Sequence, residues 1–208
     1  MKKAFIVFVR TPEQGRVKTR LQKGLGSAKT LSTYKSFISD TLCRGDSLRG
    51  VHKFLGCFPT TDDPFLRRLI KKHNLKPFDQ RGKDLGEKFI NAFNDRFREG
   101  YTKVVIIGSD SPTIPVEYIR EAFRELDKKD FVLGPCTDGG YYLVGAKKIS
   151  EKVFRGIPWD SSDVLNRTLD KLYYNNVRFS LLPFWYDVDD IDDLEFYKRH
   201  IRYLKRRS

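Results

Sequence analysis

Residues 104–112 read Val104-Val105-Ile106-Ile107-Gly108-Ser109-Asp110-Ser111-Pro112, an apolar run that passes directly into a polar loop. A short, continuous run of β-branched residues is typical of a strand buried on both faces of a parallel sheet. The loop after such a strand leaves the sheet at its carboxyl edge, where open α/β sheets bind their ligands. We therefore predict a parallel α/β sheet with Asp110 at its binding edge.

Similar apolar runs recur along the chain, and helical patterns separate them. The patterns predict strands at 4–9, 51–58, 104–108, 131–134, 141–144 and 177–183, and helices at 27–43, 64–73, 85–98, 115–126, 161–174 and 192–205. Such alternation is typical of a mostly parallel sheet with helices on both faces. Because no repeat or Gly/Ser linker divides the sequence, we expect one domain over 1–208.

Composition limits the class of protein. The 40 basic and 27 acidic residues give a net charge of +13, which is compatible with nucleic-acid binding or with a phosphorylated substrate. The basic segment 198–208 contains interspersed apolar residues, as the end of an amphipathic helix does, so we consider nucleic acid an unlikely partner. No apolar run approaches the roughly 18–20 residues of a membrane span, and 4–9 is too short for a signal peptide.

The counts of two residue types indicate where the protein works. The three cysteines are odd in number, widely spaced and without a partner at zinc-ligand spacing, so we expect reduced thiols in a cytoplasmic protein. The single methionine and the high charge suggest a heat-adapted source.

A basic loop follows the first predicted strand. It reads Arg10-Thr11-Pro12-Glu13-Gln14-Gly15-Arg16-Val17-Lys18-Thr19-Arg20 and matches neither GxxxxGK[ST] nor GxGxxG. The remaining possibility for phosphate is binding by side chains, since arginine and lysine pair with phosphate oxygens and glycine allows the backbone to approach closely. A solvated loop in a generally basic protein is the alternative. We predict nucleotide-binding residues at Arg10, Thr11, Gly15, Arg16, Lys18 and Arg20.

Three aspartates follow predicted strands. Asp110 follows 104–108, whereas Asp187 and Asp189 follow 177–183 and point the same way in an extended chain. Carboxylates that converge beside phosphate suit Mg²⁺ or Mn²⁺, which complete their coordination with water and phosphate oxygens. The alternative for each aspartate is a turn or cap residue, and Asp190 or Asp192 is the expected cap of the last helix.

The stretch 134–145 contains the pair Gly139-Gly140 between Asp138 and Tyr141. Adjacent glycines permit close approach of a ligand, and Asp138 is a candidate base or orienting group for an acceptor hydroxyl. The alternative is a tight Asp-Gly hairpin turn. We predict acceptor-binding residues at Asp138, Gly139, Gly140, Tyr141 and Trp159, although Trp159 suits the core equally well.

A second loop, 80–86, joins a short strand to a helix. Its glutamine is of a type that can bind a nucleobase edge, and its last glycine allows close packing. The loop adds Gln80, Asp84 and Gly86 to the candidate nucleotide-binding residues.

The ordered motifs RTPxxGRVKTRL, QxGxDLG, GSDSP, GPxxDGGYYLVG, IPW and DVDxxxDL resemble a glycosyltransferase-like family of the nucleotide-diphospho-sugar transferase superfamily, over about residues 4–194. The resemblance implies a three-layer α/β/α sandwich of the GT-A type. The family is distantly similar to guanylyltransferases that act on 2-phospho-lactate and on the molybdenum cofactor. By that similarity Arg16, Lys18 and Arg20 would bind a triphosphate, and Asp110, Asp187 and Asp189 would assist through a metal. The glycine-pair phosphate loop of the molybdenum-cofactor enzymes is replaced here by residues 10–12.

Two reactions fit these predictions. The family's usual name favours glycosyl transfer from a nucleotide sugar to a small acceptor, and we take this as the predicted function. The three cations favour the alternative, nucleotidyl transfer from a nucleoside triphosphate with release of pyrophosphate, in which Lys18 and Asp110 would be catalytic and Asp138 would serve the acceptor. A nucleic-acid-binding protein on an inactive transferase scaffold is a third hypothesis, which strongly salt-dependent binding would support.

Overall fold

The first strand, β1 (Lys3–Arg10), divides the hydrophobic core of the computed structural model, which describes residues 1–206. Successive strand side chains point to opposite faces. Phe5, Val7 and Val9 therefore join the core cluster on one face of the sheet, and Ala4, Ile6 and Phe8 join the cluster on the other. Because both faces are apolar, helices must cover both sides of this strand.

The sheet has seven strands in the order β3-β2-β1-β4-β6-β5-β7. The further strands are β2 (His52–Phe58), β3 (Lys76–Asp79), β4 (Lys103–Gly108), β5 (Phe131–Pro135), β6 (Tyr141–Ala146) and β7 (Phe179–Leu181). β6 runs antiparallel to β4 and β5, and all other pairs are parallel. The predicted mostly parallel sheet is confirmed. Because β6 is reversed, it begins at the edge where β4 and β5 end.

Helices cover both faces and form the predicted three layers. They are α1 (Thr19–Leu25), α2 (Ser27–Asp46), α3 (Pro64–Lys72), α4 (Leu85–Arg98), α5 (Val116–Lys128), α6 (Val164–Tyr174) and α7 (Ile191–Lys205), with a 3₁₀ turn at Glu151–Val153. α2, α3 and α5 pack on one face, and α4 and α6 pack on the other. A smaller cluster joins α1, α2 and α7 through Leu21, Phe37 and Leu194.

Apart from shifts of up to three residues at helix ends, two elements depart from the sequence prediction. α1 was not predicted, because the residue before it, Lys18, is left-handed (φ 47°, ψ 52°) and makes no side-chain cap. The last strand spans 179–181 rather than 177–183. Beyond it the chain stays beside β5 through a backbone bond from Leu182 to Leu133 and a bridge between Trp185 and Cys136.

Within residues 1–206, none of the helices combines the length and the apolar character that crossing a membrane requires. The predicted amphipathic end of the chain is helical through Lys205. The last two residues of the predicted basic segment, 207 and 208, lie outside the described residues.

Candidate active site

Lys18 lies at the centre of the candidate site. Its Nζ lies 2.7 Å from Oδ1 of Asp110 and 2.7 Å from Oδ1 of Asp189, and its side chain is only 7% exposed. Arg20 adds a second cation, 3.0 Å from Oδ2 of Asp189. The basic loop and two of the three predicted aspartates therefore meet at the carboxyl edge of the sheet.

The left-handed backbone of Lys18 is part of this arrangement. A residue with a Cβ loses about 1–2 kcal/mol in the left-handed region relative to the right-handed one. In this conformation the Lys18 ammonium group makes ion pairs with both Asp110 and Asp189. The strained conformation of Lys18 thus accompanies the placement of its ammonium group between the two carboxylates.

The loop 109–111 and the segment 186–189 are fastened to each other. The hydroxyl of Ser111 donates to Oδ1 of Asp187, and the amide of Val188 donates to the carbonyl of Asp110 at 2.9 Å. Asp190 caps α7, with its side chain accepting from the amide of Asp193. These bonds fix the positions of three neighbouring carboxylates.

Burial and neighbours give those carboxylates different protonation behaviour. Burial, with repulsion from Asp110, raises the pKa of Asp187 to about 7. Burial also acts to raise the pKa of Asp189, but Lys18 and Arg20 outweigh it and the net shift is downward. Burial acts to lower the pKa of Lys18, and its two carboxylate partners raise it above the ordinary value instead. Of the three, Asp187 is therefore the carboxylate that makes no ion pair within residues 1–206.

The residues present fit a divalent cation. Lys18 and Arg20 take both oxygens of Asp189, whereas Asp110 and Asp187 each keep one oxygen without a hydrogen bond to residues 1–206. A divalent ion between those two oxygens would relieve the repulsion that raises the pKa of Asp187, and one or two protein carboxylates are the usual complement for Mg²⁺. Among the three predicted ligands, Asp189 has both oxygens paired with basic side chains, whereas Asp110 has one.

Two connected cavities open at this edge. A cleft of about 800 Å³ is lined by Asp110, Asp138, Asp187 and Asp189 together with aromatic residues. A smaller cavity of about 270 Å³ is lined by Arg10, Arg16, Lys18 and Arg20. The two cavities share wall residues, among them Arg10, Arg20, Tyr34, Asp110 and Asp189. A basic compartment thus adjoins a mixed acidic and aromatic one.

The β5–β6 turn forms part of the wall of the larger cleft. Oδ1 of Asp138 accepts from the amide of Gly140 at 2.9 Å, so the Asp-Gly sequence does form a hairpin turn while its side chain still faces the cleft. Asp138 also clusters with Asp187 and the buried thiol of Cys136, since one ligand atom of each lies within 4.8 Å of the others. The turn therefore brings a second carboxylate to the side of Asp187.

Tyr141 and Trp159 line the same cleft as an aromatic wall. Their ring centroids lie 6.3 Å apart in an edge-to-face arrangement, and both rings contact Phe89. The Tyr141 hydroxyl and the Trp159 indole nitrogen are buried without a hydrogen-bond partner in residues 1–206. Trp159 therefore serves both the core and the cleft.

Several predicted residues lie outside both cavity linings. The hydroxyl of Thr11 donates to the carbonyl of Thr60 at 2.6 Å, and Asp84 caps α4 by accepting from Glu87. Gly15 is left-handed in an open turn (φ 83°). These three residues shape loops next to the cleft.

Two predicted glycines lie at close contacts between elements. A Cβ on Gly86 would lie 2.6 Å from the carbonyl of Phe154. One on Gly139 would lie 1.9 Å from the carbonyl of Ser162. Both positions therefore require glycine for packing, whatever they do for a ligand.

Gln80 lies in the cleft wall, but its amide is partly committed. Its Nε2 donates to the carbonyl of Gly56 at 2.8 Å and to that of Val9 at 3.3 Å, across the ends of β2 and β1. Those bonds orient the side chain and leave its oxygen for a ligand donor. Gln80 thus remains a candidate for contact with a nucleobase.

Sequence reasoning missed Tyr34 and Lys88. The Tyr34 hydroxyl accepts from the amide of Arg10 at 2.9 Å and lines both cavities. Burial, with the charge of Asp110, raises its pKa to about 12. Lys88 lines the larger cleft with its ammonium group 3.4 Å from the centre of the Phe58 ring, and burial, with repulsion from Arg10, lowers its pKa. Both side chains come from helices, where no sequence signal separates them from ordinary surface or core residues.

Comparisons with known proteins agree with this fold. Residues 48–161 match the model of the family described as "Uncharacterized protein conserved in bacteria (DUF2064)". A crystal structure from Desulfovibrio desulfuricans G20, of a protein provisionally named a nucleotide-diphospho-sugar transferase, is 35% identical with a TM-score of 0.85, over 93% of this chain and 85% of that one. No curated protein matches the sequence.

More distant structures share the fold. A cytidylyltransferase from Leptospira borgpetersenii is 15% identical with a TM-score of 0.63, over 98% of this chain and 87% of that one. A CMP:2-keto-3-deoxy-manno-octonic acid synthetase, solved with CTP, is 10% identical with a TM-score of 0.62, over 98% and 99% of the two chains. At these identities the likeness concerns the fold alone.

Proposed function

This chain belongs to the family of uncharacterized proteins conserved in bacteria (DUF2064), and we propose that it is a metal-dependent nucleotidyltransferase that releases pyrophosphate from a nucleoside triphosphate. Its fold and its 35% identical relative make it a transferase of the nucleotide-diphospho-sugar transferase superfamily.

One observation carries the choice of reaction. The smaller cavity gathers Arg10, Arg16, Lys18 and Arg20 beside Asp110, where the proposed cation would lie. Pyrophosphate is a compact, highly charged leaving group, and side-chain cations that surround it lower the energy of its departure. The larger cleft then has room for the nucleoside and the acceptor.

The proposed reaction follows from placing pyrophosphate in the smaller cavity and the nucleoside and acceptor in the larger cleft. An acceptor oxygen would attack the α-phosphorus, forming a new phosphorus–oxygen bond, while the bond from that phosphorus to the bridging oxygen breaks. The electron pair leaves with pyrophosphate, beside Lys18 and the arginines. Mg²⁺ or Mn²⁺ held by Asp110 and Asp187 would neutralise phosphate oxygens. Asp138, which lines the cleft beside Asp187, would orient the acceptor or take its proton.

Glycosyl transfer is the second candidate, because the 35% identical relative is provisionally named for nucleotide-diphospho-sugars. In that reaction the nucleoside diphosphate would leave from the sugar carbon, and the basic cavity would hold its terminal phosphate. Both reactions would use the same cation and the same basic loop, but the basic cavity would hold one phosphate of a nucleoside diphosphate and both phosphates of pyrophosphate.

The two reactions leave different products. We would incubate the enzyme with Mg²⁺, a pool of small-molecule acceptors, and either nucleoside triphosphates or nucleotide sugars. Nucleotidyl transfer yields pyrophosphate and an acceptor heavier by a nucleoside monophosphate. Glycosyl transfer yields a nucleoside diphosphate and an acceptor heavier by a sugar. If neither product forms with any donor, the proposal of transferase activity by this site fails.

A pair of variants tests whether Asp110 binds the metal. Asp110→Asn should abolish metal-dependent nucleotide binding and leave the weaker, metal-independent binding by the basic loop. Asp62→Asn, which changes an exposed carboxylate paired with Arg67, is the matched control and should bind as wild type does. Unchanged Mg²⁺ dependence in Asp110→Asn would show that the cation lies elsewhere.

A further inference from the structure

A second cluster of metal-ligating side chains lies where α2 and α3 end. Cys43 and Asp46 occupy the last turn of α2, and His73 is the C-cap residue of α3. One ligand atom from each of the three residues lies within 4.8 Å of the other two. The cluster shares no residue with either active-site cavity.

His73 is buried and hydrogen-bonded although it lies at the end of a helix. Its side chain is 1% exposed, and its Nδ1 lies 2.7 Å from Oδ2 of Asp46. Its other ring nitrogen, Nε2, is buried without a hydrogen-bond partner in residues 1–206. Nδ1 is therefore the ring nitrogen beside Asp46, and the unpartnered Nε2 points away from that contact.

The spacing of the three ligand atoms suits a small tetrahedral ion. With a metal–sulfur bond of about 2.3 Å and a metal–nitrogen bond of about 2.0 Å, neighbouring ligand atoms lie roughly 3.3–3.8 Å apart. The His73–Asp46 contact is 2.7 Å, and no two of the three ligand atoms lie more than 4.8 Å apart. Small side-chain movements would therefore complete the site, with water in the fourth position, since Cys43 and Asp46 are exposed.

The charges around the cluster favour a bound cation, except for that of Lys53. The carboxyl ends of α2 and α3 converge here, and each carries the partial negative charge of a helix C-terminus. Lys53 opposes this, because its Nζ lies 2.7 Å from Oδ1 of Asp46. That ion pair leaves Oδ2 of Asp46 for the metal, in place of its hydrogen bond with His73.

We propose that Cys43, Asp46 and His73 form a surface site for a zinc-class transition-metal ion that ties the end of α2 to the end of α3. A thiolate, an imidazole and a carboxylate suit Zn²⁺ or Co²⁺, whereas Mg²⁺ prefers oxygen ligands alone. Binding breaks the S–H bond of Cys43, releases that proton to solvent, and forms the metal–sulfur bond. The active-site cation is a separate, oxygen-bound ion.

Cobalt titration tests the proposal without reference to activity. Co²⁺ added to the reduced full-length chain should produce a thiolate-to-cobalt charge-transfer absorption that Zn²⁺ abolishes. Cys43→Ser should lose this absorption, and Asp46→Asn should weaken binding by about tenfold or more. Lys53→Met should strengthen it, because the competing cation is gone.

Two controls test which thiol binds the metal and whether the bound metal stabilises the protein. Cys136→Ser removes the thiol that lies near Asp138 and Asp187, and it should retain the absorption if the thiolate is that of Cys43. Zn²⁺ should raise the melting temperature of wild type but not of Cys43→Ser, a variant at an exposed position that keeps the fold. Absence of the absorption in wild type, its persistence in Cys43→Ser, or its loss in Cys136→Ser alone would each overturn the proposal.

Discussion

The ammonium group of Lys18 lies 2.7 Å from Oδ1 of Asp189, a residue 171 positions further along the chain. The same group contacts Asp110, so one side chain joins the loop after β1, the loop after β4 and the segment before α7. A lysine buried with two carboxylates remains charged, and its contact with Asp189 helps to lower the pKa of that carboxyl. Lys18 therefore assembles the site as well as contributing charge to it.

Lys18→Met should impair both binding and stability. Removing one partner of a buried ion pair leaves uncompensated charge and costs about 3 kcal/mol, near the lower end of the usual range because Asp110 is partly exposed. Loss of a charge that stabilises the leaving group should lower kcat by about 10²–10³-fold. Lys23→Met, at an exposed position on α1, is the matched control for chemical denaturation and kinetics. Equal behaviour of the two variants would remove Lys18 from the mechanism.

Asp187 should make the stability of the metal-free protein depend on pH. Burial raises its pKa to about 7, above the roughly 4 of an unfolded aspartate, so the folded state binds a proton that the unfolded state has released. Its stabilising contribution is complete below about pH 4 and is lost as the pH rises through 7. Melting temperatures measured with a chelator between pH 4 and 8 should therefore fall less steeply in Asp187→Asn than in wild type. A parallel decline in the two proteins would contradict the assignment.

Sequence patterns predicted most of the fold because apolar periodicity reports burial directly. The buried run 104–108 and the pattern that matched α4 at 85–98 needed no tertiary information. α1 was missed because its start depends on the left-handed backbone of Lys18, which long-range ion pairs stabilise. Local sequence carries no record of a contact 171 positions away.

The candidate site, like the fold, could be predicted from the sequence only in part. Position after a strand was enough to bring Lys18, Asp110 and Asp189 together, because parallel strands share one carboxyl edge. It was not enough to show that Thr11 and Asp84 bond to neighbouring backbone groups outside the cleft. Nor could it identify Tyr34, which reaches the site from the middle of α2, where an aromatic residue is ordinarily a core residue.

Gly86→Ala should deform the aromatic wall of the cleft. The added methyl would lie 2.6 Å from a backbone carbonyl and 2.9 Å from the Trp159 ring, so α4 or Trp159 must shift, at a cost of about 1–3 kcal/mol. We expect a lower melting temperature, altered tryptophan fluorescence and a higher KM for the acceptor. Gly108→Ala, where the new methyl meets only an atom 3.9 Å away, is the control for the melting temperature and the fluorescence alone, because Gly108 itself lines the cleft. Identical fluorescence in Gly86→Ala and wild type would show that Trp159 does not depend on this contact.

Asp190→Ala should show whether the cap of α7 helps to position the neighbouring Asp189. Asp190 and Asp193 exchange hydrogen bonds with each other's backbone amides, and loss of such a cap costs about 1 kcal/mol. Because the amide of Asp189 also donates to Asp193, at 3.0 Å, a frayed cap would loosen the carboxylate that holds Lys18 and Arg20. We therefore expect weaker nucleotide binding together with the lower free energy of unfolding. Asp192→Ala removes an exposed carboxylate in the same turn that does not cap the helix, so a similar loss in both variants would attribute the effect to charge at the helix start.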